Sequence, residues 1–195
     1  MSTANPTTRD RILDATWRLL ESDAAPGVRM SDIARAVGIS RQALYLHFPT
    51  RAELLIATTR HIDEVKDIDG RLAASRAAAT GSERLDAFVA AWGAYIPEIH
   101  GVGRALMAMQ HTDPEASRAW ADRMDAMRQG CAAAVAMLAR DGDLRADLTE
   151  TRATDLLWSI LSVRVWEHLC LDCGWSQADY LAEIQRLAHA ALLPH

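Results

Sequence analysis

Arg41, Gln42, Ala43, Tyr45 and His47 lie within one short stretch and carry the plainest recognition chemistry in the chain. Arginine presents a planar fork of donors that fits the two acceptors of guanine, glutamine matches the mixed edge of adenine, and an alanine methyl can meet the methyl of thymine. Tyrosine and histidine add donors for phosphate oxygens. No acidic residue interrupts the run. Such a set suits a groove lined by phosphates and base edges, provided the stretch is a helix with these side chains turned outward.

The flanking residues predict that helix. Ser40 stands where a side-chain oxygen caps a first helical turn, Leu44 is the buried position, and Phe48-Pro49 ends the helix near His47 because the residue before proline avoids the α region. Upstream, Ser31 is expected to open a helix that runs to Val37 and turns Ile33, Ala34 and Val37 onto one face. Gly38 follows where helices most often stop, and Ile39 fits the angle between the two helices. Thr50 and Glu53 form a capping box for a third helix. The layout is helix-turn-helix. Serine-capped helices joined at a glycine also occur in many all-α proteins, so the composition of the second helix is what points to DNA.

Residues 30–51 resemble the DNA-binding head of the TetR family of transcriptional regulators. That pattern joins an Ile-Ala helix, a Gly turn and a helix ending Leu-Tyr-x-His-Phe, then a small or polar residue and Lys or Arg. Here these are Ile33-Ala34, Gly38, Leu44-Tyr45-Leu46-His47-Phe48 and Thr50-Arg51. The resemblance spans roughly residues 8–55 and is only architectural beyond. It implies an all-α fold in which an N-terminal helix-turn-helix head is joined by a long helix to a C-terminal helical bundle, with a DNA-binding domain at 1–53 and a ligand-binding and dimerisation domain at 54–195. Ser31, Ser40, Tyr45, His47 and Arg51 are expected to hold phosphates, and Arg41, Gln42 and Ala43 to read bases.

Composition sets outer limits. With 195 residues, half of them apolar, the chain can bury a sizeable core. Residues 1–66 carry nine Lys/Arg and eight Asp/Glu, for +1, and the remainder carries −6, so the head is the less acidic part. Arginine supplies nearly all the positive charge throughout and carries no functional signal. Three cysteines, Cys131, Cys170 and Cys173, suggest a reducing compartment. With no apolar leader before residue 30 and no uncharged apolar run near ~18 residues, the expectation is a soluble, cytoplasmic protein without a membrane partner.

Along the chain, Met1 to Pro6 show no pattern, and Thr7 with Asp10 begins a first helix whose stripe is Ile12, Leu13, Leu19 and Leu20, ending over Ser22 to Gly27. The helix from Arg51 carries helical spacing through Leu72, and Ala77 to Ser82 forms a link. Further helices are expected at 83–96, stopped by Pro97, then at 98–111, 115–140, 151–171 and 176–193, for about nine in all.

Two apolar sets stand out. Trp92, Tyr95, Met107, Met124, Met127, Trp158 and Leu161, with His111 and Arg164 as polar members, either pack a core or line a cavity for a small-molecule effector. Trp166, Tyr180, Leu181, Ile184, Leu187, Ala188 and Ala191 make a broad face, which the resemblance assigns to a homodimer interface. Cys170 and Cys173 with His168 lack the further ligands that zinc requires, and no phosphate loop or nucleophile motif is present, so no cofactor, metal or enzymatic role is expected. The functional expectation is a ligand-responsive repressor that binds a near-palindromic operator as a homodimer. The alternative is a ligand-binding or catalytic helical bundle whose head no longer regulates transcription.

Overall fold

The computed structural model describes residues 6–22 and 28–194, and every regular element among them is helical. The expectations for Met1 to Asn5 and for the chain across 23–27 lie outside the described residues. In order, the elements are α1 (Thr8–Glu21), α2 (Met30–Val37), α3 (Arg41–His47), α4 (Arg51–Val65), α5 (Ile68–Arg71), α6 (Ala73–Ala77), α7 (Gly81–Met109), α8 (Pro114–Asp141), α9 (Glu150–Ile160), α10 (Val163–Trp166), a π-helical segment (Glu167–Asp172) and α11 (Gln177–Leu192). They form two compact units, one from Met1–Lys66 and Ile99–Arg123, the other from Asp67–Glu98 and Met124–His195.

The first unit begins with a full capping box. Thr7 Oγ1 accepts from the Asp10 amide at 3.2 Å, and the Asp10 carboxylate accepts from the Thr7 amide at 2.9 Å. Ile12 and Leu13 of α1 then meet Ile33, Ala34 and Val37 of α2, Leu44 of α3, and Phe48 and Leu54 in one core. Leu20, Leu55 and Ile62 join a second core with Val102, Leu106 and Met109 of α7 and Ala116 and Ala119 of α8. Each fully buried aliphatic side chain contributes about 1.5–3 kcal/mol, so the helix-turn-helix is held by far more than its own short helices.

Arg51 fixes the edge of this unit. Its side chain is 12% exposed; Nε donates to Val28 O at 2.5 Å and Nη1 to Asp113 Oδ2 at 2.6 Å, with Glu115 Oε2 at 3.8 Å from Nη1. The phosphate role expected of Arg51 is therefore corrected. Its donors are committed within the chain, because a guanidinium this sheltered must be paired. Burial alone would raise the Asp113 pKa, but the hydrogen bonds from the Ala116 amide and from Arg51 outweigh it and hold the carboxyl below its ordinary value.

Three helix boundaries differ from the sequence periodicity. The helix from Arg51 stops at Val65, because Asp67 adopts the left-handed conformation (φ 53°) and its carboxylate accepts from the Gly70 amide at 3.1 Å, starting a new turn. The pattern at 151–171 divides at Ser162, whose hydroxyl accepts from the Val165 amide at 3.3 Å and caps α10. Conversely, Pro97 does not stop α7, which continues through it to Met109.

A side chain in the second unit explains that continuity. Proline has no N–H to offer the carbonyl four residues back, which here is Gly93 O. Gln177 of α11 supplies the missing donor through Nε2 at 2.9 Å, and its Oε1 accepts the Trp166 indole N–H at 2.9 Å. Nearby, Trp92 Nε1 donates to Leu161 O at 3.0 Å at the end of α9. Gly130 lets α8 approach α7, since a Cβ there would stand 2.7 Å from the Phe88 ring. The buried face of α11 is Tyr180, Ile184, Ala188 and Leu192, and α11 packs on α9.

Two stability experiments follow from these bonds. Gln177→Ala removes the donor to Gly93 O and the acceptor of the Trp166 indole N–H and is expected to lower unfolding free energy in urea by about 1–3 kcal/mol, more than Gln185→Ala on the same helix. A depressed carboxyl pKa contributes stability that is fully present above the unfolded value of 3.8 and is lost as pH falls through the lower native one. Asp113→Asn should therefore be less stable than wild type at neutral pH, with the gap narrowing below that value; a gap that stays constant into acid would contradict the assigned pairing.

Candidate nucleic-acid interface

The candidate surface is built from two short helices and the turn between them. α2 ends at Gly38, whose left-handed conformation (φ 75°) lets its own amide and that of Ile39 bond Ala34 O, each at 3.0 Å. Ser40 Oγ then accepts from the Ala43 amide at 3.0 Å and starts α3. Only Leu44 of α3 is fully buried. Arg41, Gln42, Tyr45, Leu46 and His47 are exposed, and Ala43 is half-buried.

α1 braces this arrangement from behind. Arg11 Nη2 donates to Val37 O at 2.8 Å, placing a cation at the negative end of α2, and Arg9 lies 4.3 Å over the Phe48 ring while reaching His47 O at 3.4 Å. At its other end α2 begins at Met30 rather than at Ser31, and no side chain caps its first turn. Ser31 therefore sits inside the helix and is half-buried, and the cap position falls to Arg29, whose side chain makes no capping hydrogen bond. The positive end of the α2 dipole opens on a groove of about 560 Å³ lined by Arg29, Ser31, Arg41, Tyr45 and Thr50, with Asp113 and Glu115 also on its wall.

The structure thus brings Arg41 and Tyr45 together with Ser31 around one groove and leaves Gln42 and His47 on the same exposed helix. Ser40 is occupied as a cap, and Arg51 is bonded internally. Sequence reasoning missed two residues. Arg29 is hidden when the start of α2 is placed at Ser31, one residue late. Leu46, 82% exposed, was passed over because a leucine on an amphipathic helix is expected inside. Its position between Tyr45 and His47, away from the Leu44 face, was the available signal.

The other expected sets separate by burial. Trp92, Tyr95, Met127 and Leu161 are buried in the second unit, where Trp92 bonds Leu161 and meets Tyr95 edge-on with ring centres 5.9 Å apart. Met124 and Trp158 are half-buried there, and Arg164 is 67% exposed and paired with Glu167 at 3.4 Å. Met107, buried, and His111, exposed, belong to the first unit. Of the expected interface set, Tyr180, Ile184, Ala188 and Trp166 are buried within their own chain, so they build the core of the second unit and are corrected as contact residues. Leu181, Leu187 and Ala191 are half-buried.

Burial pushes the Cys131 thiol up to about 12. His168 Nε2 stands 4.0 Å from Cys173 Sγ, and among the described residues no group of three or more His, Cys, Asp or Glu is arranged to hold a metal. No described helix is long and apolar enough to cross a membrane.

Comparison with known proteins agrees with this geometry. Residues 12–58 match the family of bacterial regulatory proteins, tetR family. The HTH-type transcriptional regulator BetI of Rhizobium meliloti (strain 1021) is 37% identical over 84 residues, which is 43% of this chain and 41% of that protein; the chain therefore aligns with less than half the length of this relative. Two solved structures share the fold across nearly the whole chain. A protein from Saccharomonospora viridis described as a transcriptional regulator, in complex with choline, superposes with a TM-score of 0.72 at 21% identity, covering 96% of this chain and 98% of that one. The transcriptional regulator FadR from Bacillus subtilis, in complex with stearoyl-CoA, gives 0.73 at 14% identity over 93% and 97%. The capped helix-turn-helix thus lies inside a segment, residues 12–58, that matches the tetR family of bacterial regulatory proteins, with an all-helical fold around it.

Proposed function

We propose that this protein is a ligand-responsive transcriptional repressor that binds a near-palindromic DNA operator as a homodimer and is released by a small, largely apolar effector. The observation that carries this reading is α3, a Ser40-capped helix exposing Arg41, Gln42, Tyr45, Leu46 and His47 with no acidic residue, beside the uncapped positive end of α2. Two copies of α3 related by a two-fold axis would enter successive major grooves about one helical turn apart. Arg41 is suited to guanine and Gln42 to adenine, while Ala43 and Leu46 meet thymine methyls. Ser31, Tyr45 and His47, with Arg29 added, hold phosphates.

In this reading residues 1–53 are the DNA-binding domain and residues 54–195 receive the effector and form the dimer. The buried aromatic set around Trp92 and Tyr95 supports an apolar effector site, and the complexes of the two structural relatives with choline and with stearoyl-CoA support a small-molecule effector in general. Leu181, Leu187 and Ala191 of α11 are the part of the expected interface still available to a second copy. An effector releases DNA only by the difference in its affinity for the two arrangements of the dimer. In this reading the protein acts in the cytoplasm, as a binder of DNA rather than as an enzyme.

A mobility-shift assay against the DNA flanking its own gene, at stated salt, tests the reading. A specific, salt-sensitive shift is expected; no shift at any tiled position would favour a ligand-binding or catalytic bundle instead. Arg41→Ala should weaken binding by about 1–3 kcal/mol per half-site and relax preference at one base pair. A thermal-shift screen should find ligands that also reduce operator affinity, and tight ligands that leave it unchanged would exclude the proposed release step.

A further inference from the structure

Carboxylates at the start of α8 converge on the start of α4. Asp113 Oδ2 holds Arg51 Nη1 at 2.6 Å, and Glu115 Oε1 accepts the Ala52 amide at 3.2 Å. Asp113 is itself tied to α8, since its Oδ1 accepts the Glu115 and Ala116 amides at 3.0 and 3.2 Å. Arg51 then donates to Val28 O, two residues ahead of α2. A continuous bonded path within one unit thus runs from the turn before α8, through Arg51, to the approach to α2. With Arg51 12% and Asp113 25% exposed, the pair is partly withdrawn from solvent and is less screened than a surface pair.

These two acidic residues also stand on the wall of the groove that contains Arg29 and Arg41. By charge alone they oppose a phosphate there. Their bonds supply a reason for acids in that place.

We infer that Asp113 and Glu115 are positioning residues for DNA binding, holding Arg51 and Ala52 so that the starts of α2 and α4, and with them Arg29 and Ser31, keep the spacing a duplex backbone requires. The inference rests on the DNA-binding reading above. It makes the turn before α8 a lever on the DNA surface. Shifting that turn moves the carboxylates, Arg51 follows, and the first turn of α2 loses its anchor. It also reverses the sign expected from electrostatics. Neutralising two acids beside a DNA groove ordinarily strengthens binding, whereas here it should weaken it.

The test uses the full-length protein, comparing wild type, Asp113→Asn/Glu115→Gln and Asp113→Glu. Fluorescence anisotropy against duplexes tiled from the DNA flanking its gene gives affinity over a range of salt, and amide hydrogen exchange reports the free protein. The neutralised variant is expected to bind about tenfold more weakly, with a shallower dependence of affinity on salt because phosphate contacts are lost. Exchange should quicken at Ala52 and across Met30 to Ile33 under conditions where its helical circular dichroism matches wild type, and Asp113→Glu should recover most of the affinity. Equal or tighter binding by the neutralised variant overturns the inference, as does weakened binding with unchanged exchange at those amides. If the wild type binds none of the duplexes, the regulator reading fails; if it binds and the neutralised variant binds alike, only the positioning role fails.

Discussion

An arginine remains charged at any pH a protein tolerates, so a chain that shelters one must bring acceptors to it. Arg51 is the point where that requirement shapes the first unit. Its guanidinium collects a backbone carbonyl from the approach to α2 and a carboxylate from the start of α8, and Nη2 reaches Met109 Sδ at 3.8 Å. Three stretches that are distant in sequence are held together by one planar group. Two apolar cores then fill the space on either side of α4, one with Leu54 and one with Leu55, so neighbouring residues of a single helix serve different clusters.

What could be read from the sequence was what is decided within one helical turn. The Thr7–Asp10 box, the Ser40 cap and the Gly38 stop are interactions between residues three to five apart, and each is present as expected. Arg51 shows the opposite case. The family pattern offers it to phosphate, yet its carboxylate partner is 62 residues away, and no local rule reveals that pairing. The limit at Pro97 fails for the same reason, and the limit at Val65 for a local one, the bond between Asp67 and the Gly70 amide. Pro97 reads as a stop because its compensation comes from Gln177, and the helix from Arg51 reads as long because apolar spacing continues past the left-handed Asp67. The dimer face was misjudged because periodicity gives the width of an apolar stripe without saying which part its own chain covers. Tyr180, Ile184 and Ala188 are covered in full.

The candidate surface also shows how charge is apportioned within an acidic protein. Arg9 and Arg11 are used against α3 and α2 from behind, Arg51 is enclosed, and Arg29 and Arg41 remain at the groove. A head with a net charge of only +1 thus keeps Arg29 and Arg41 at the groove while Arg9, Arg11 and Arg51 bond acceptors within the chain. Leu46 adds apolar area amid these donors. Contacts of that kind do not fade with salt as phosphate contacts do, so sequence preference in the proposed reading would survive at ionic strengths where non-specific binding is weak.

The bridge made by Gln177 has a consequence for how the chain can change by descent. Pro97 leaves a carbonyl in need of a donor, Gly93 provides that carbonyl with no side chain of its own in the way, and Gln177 donates to it while also accepting from Trp166. None of these residue types is demanded separately by its own helix. Replacing Pro97 by a residue with an amide hydrogen restores the helical bond to Gly93 O and leaves Gln177 with its Trp166 bond, whereas losing Gln177 first removes the donor to Gly93 O and the acceptor of the Trp166 indole together. The two orders of substitution therefore differ in cost, and four positions spread over α7, α10 and α11 are coupled through one side chain.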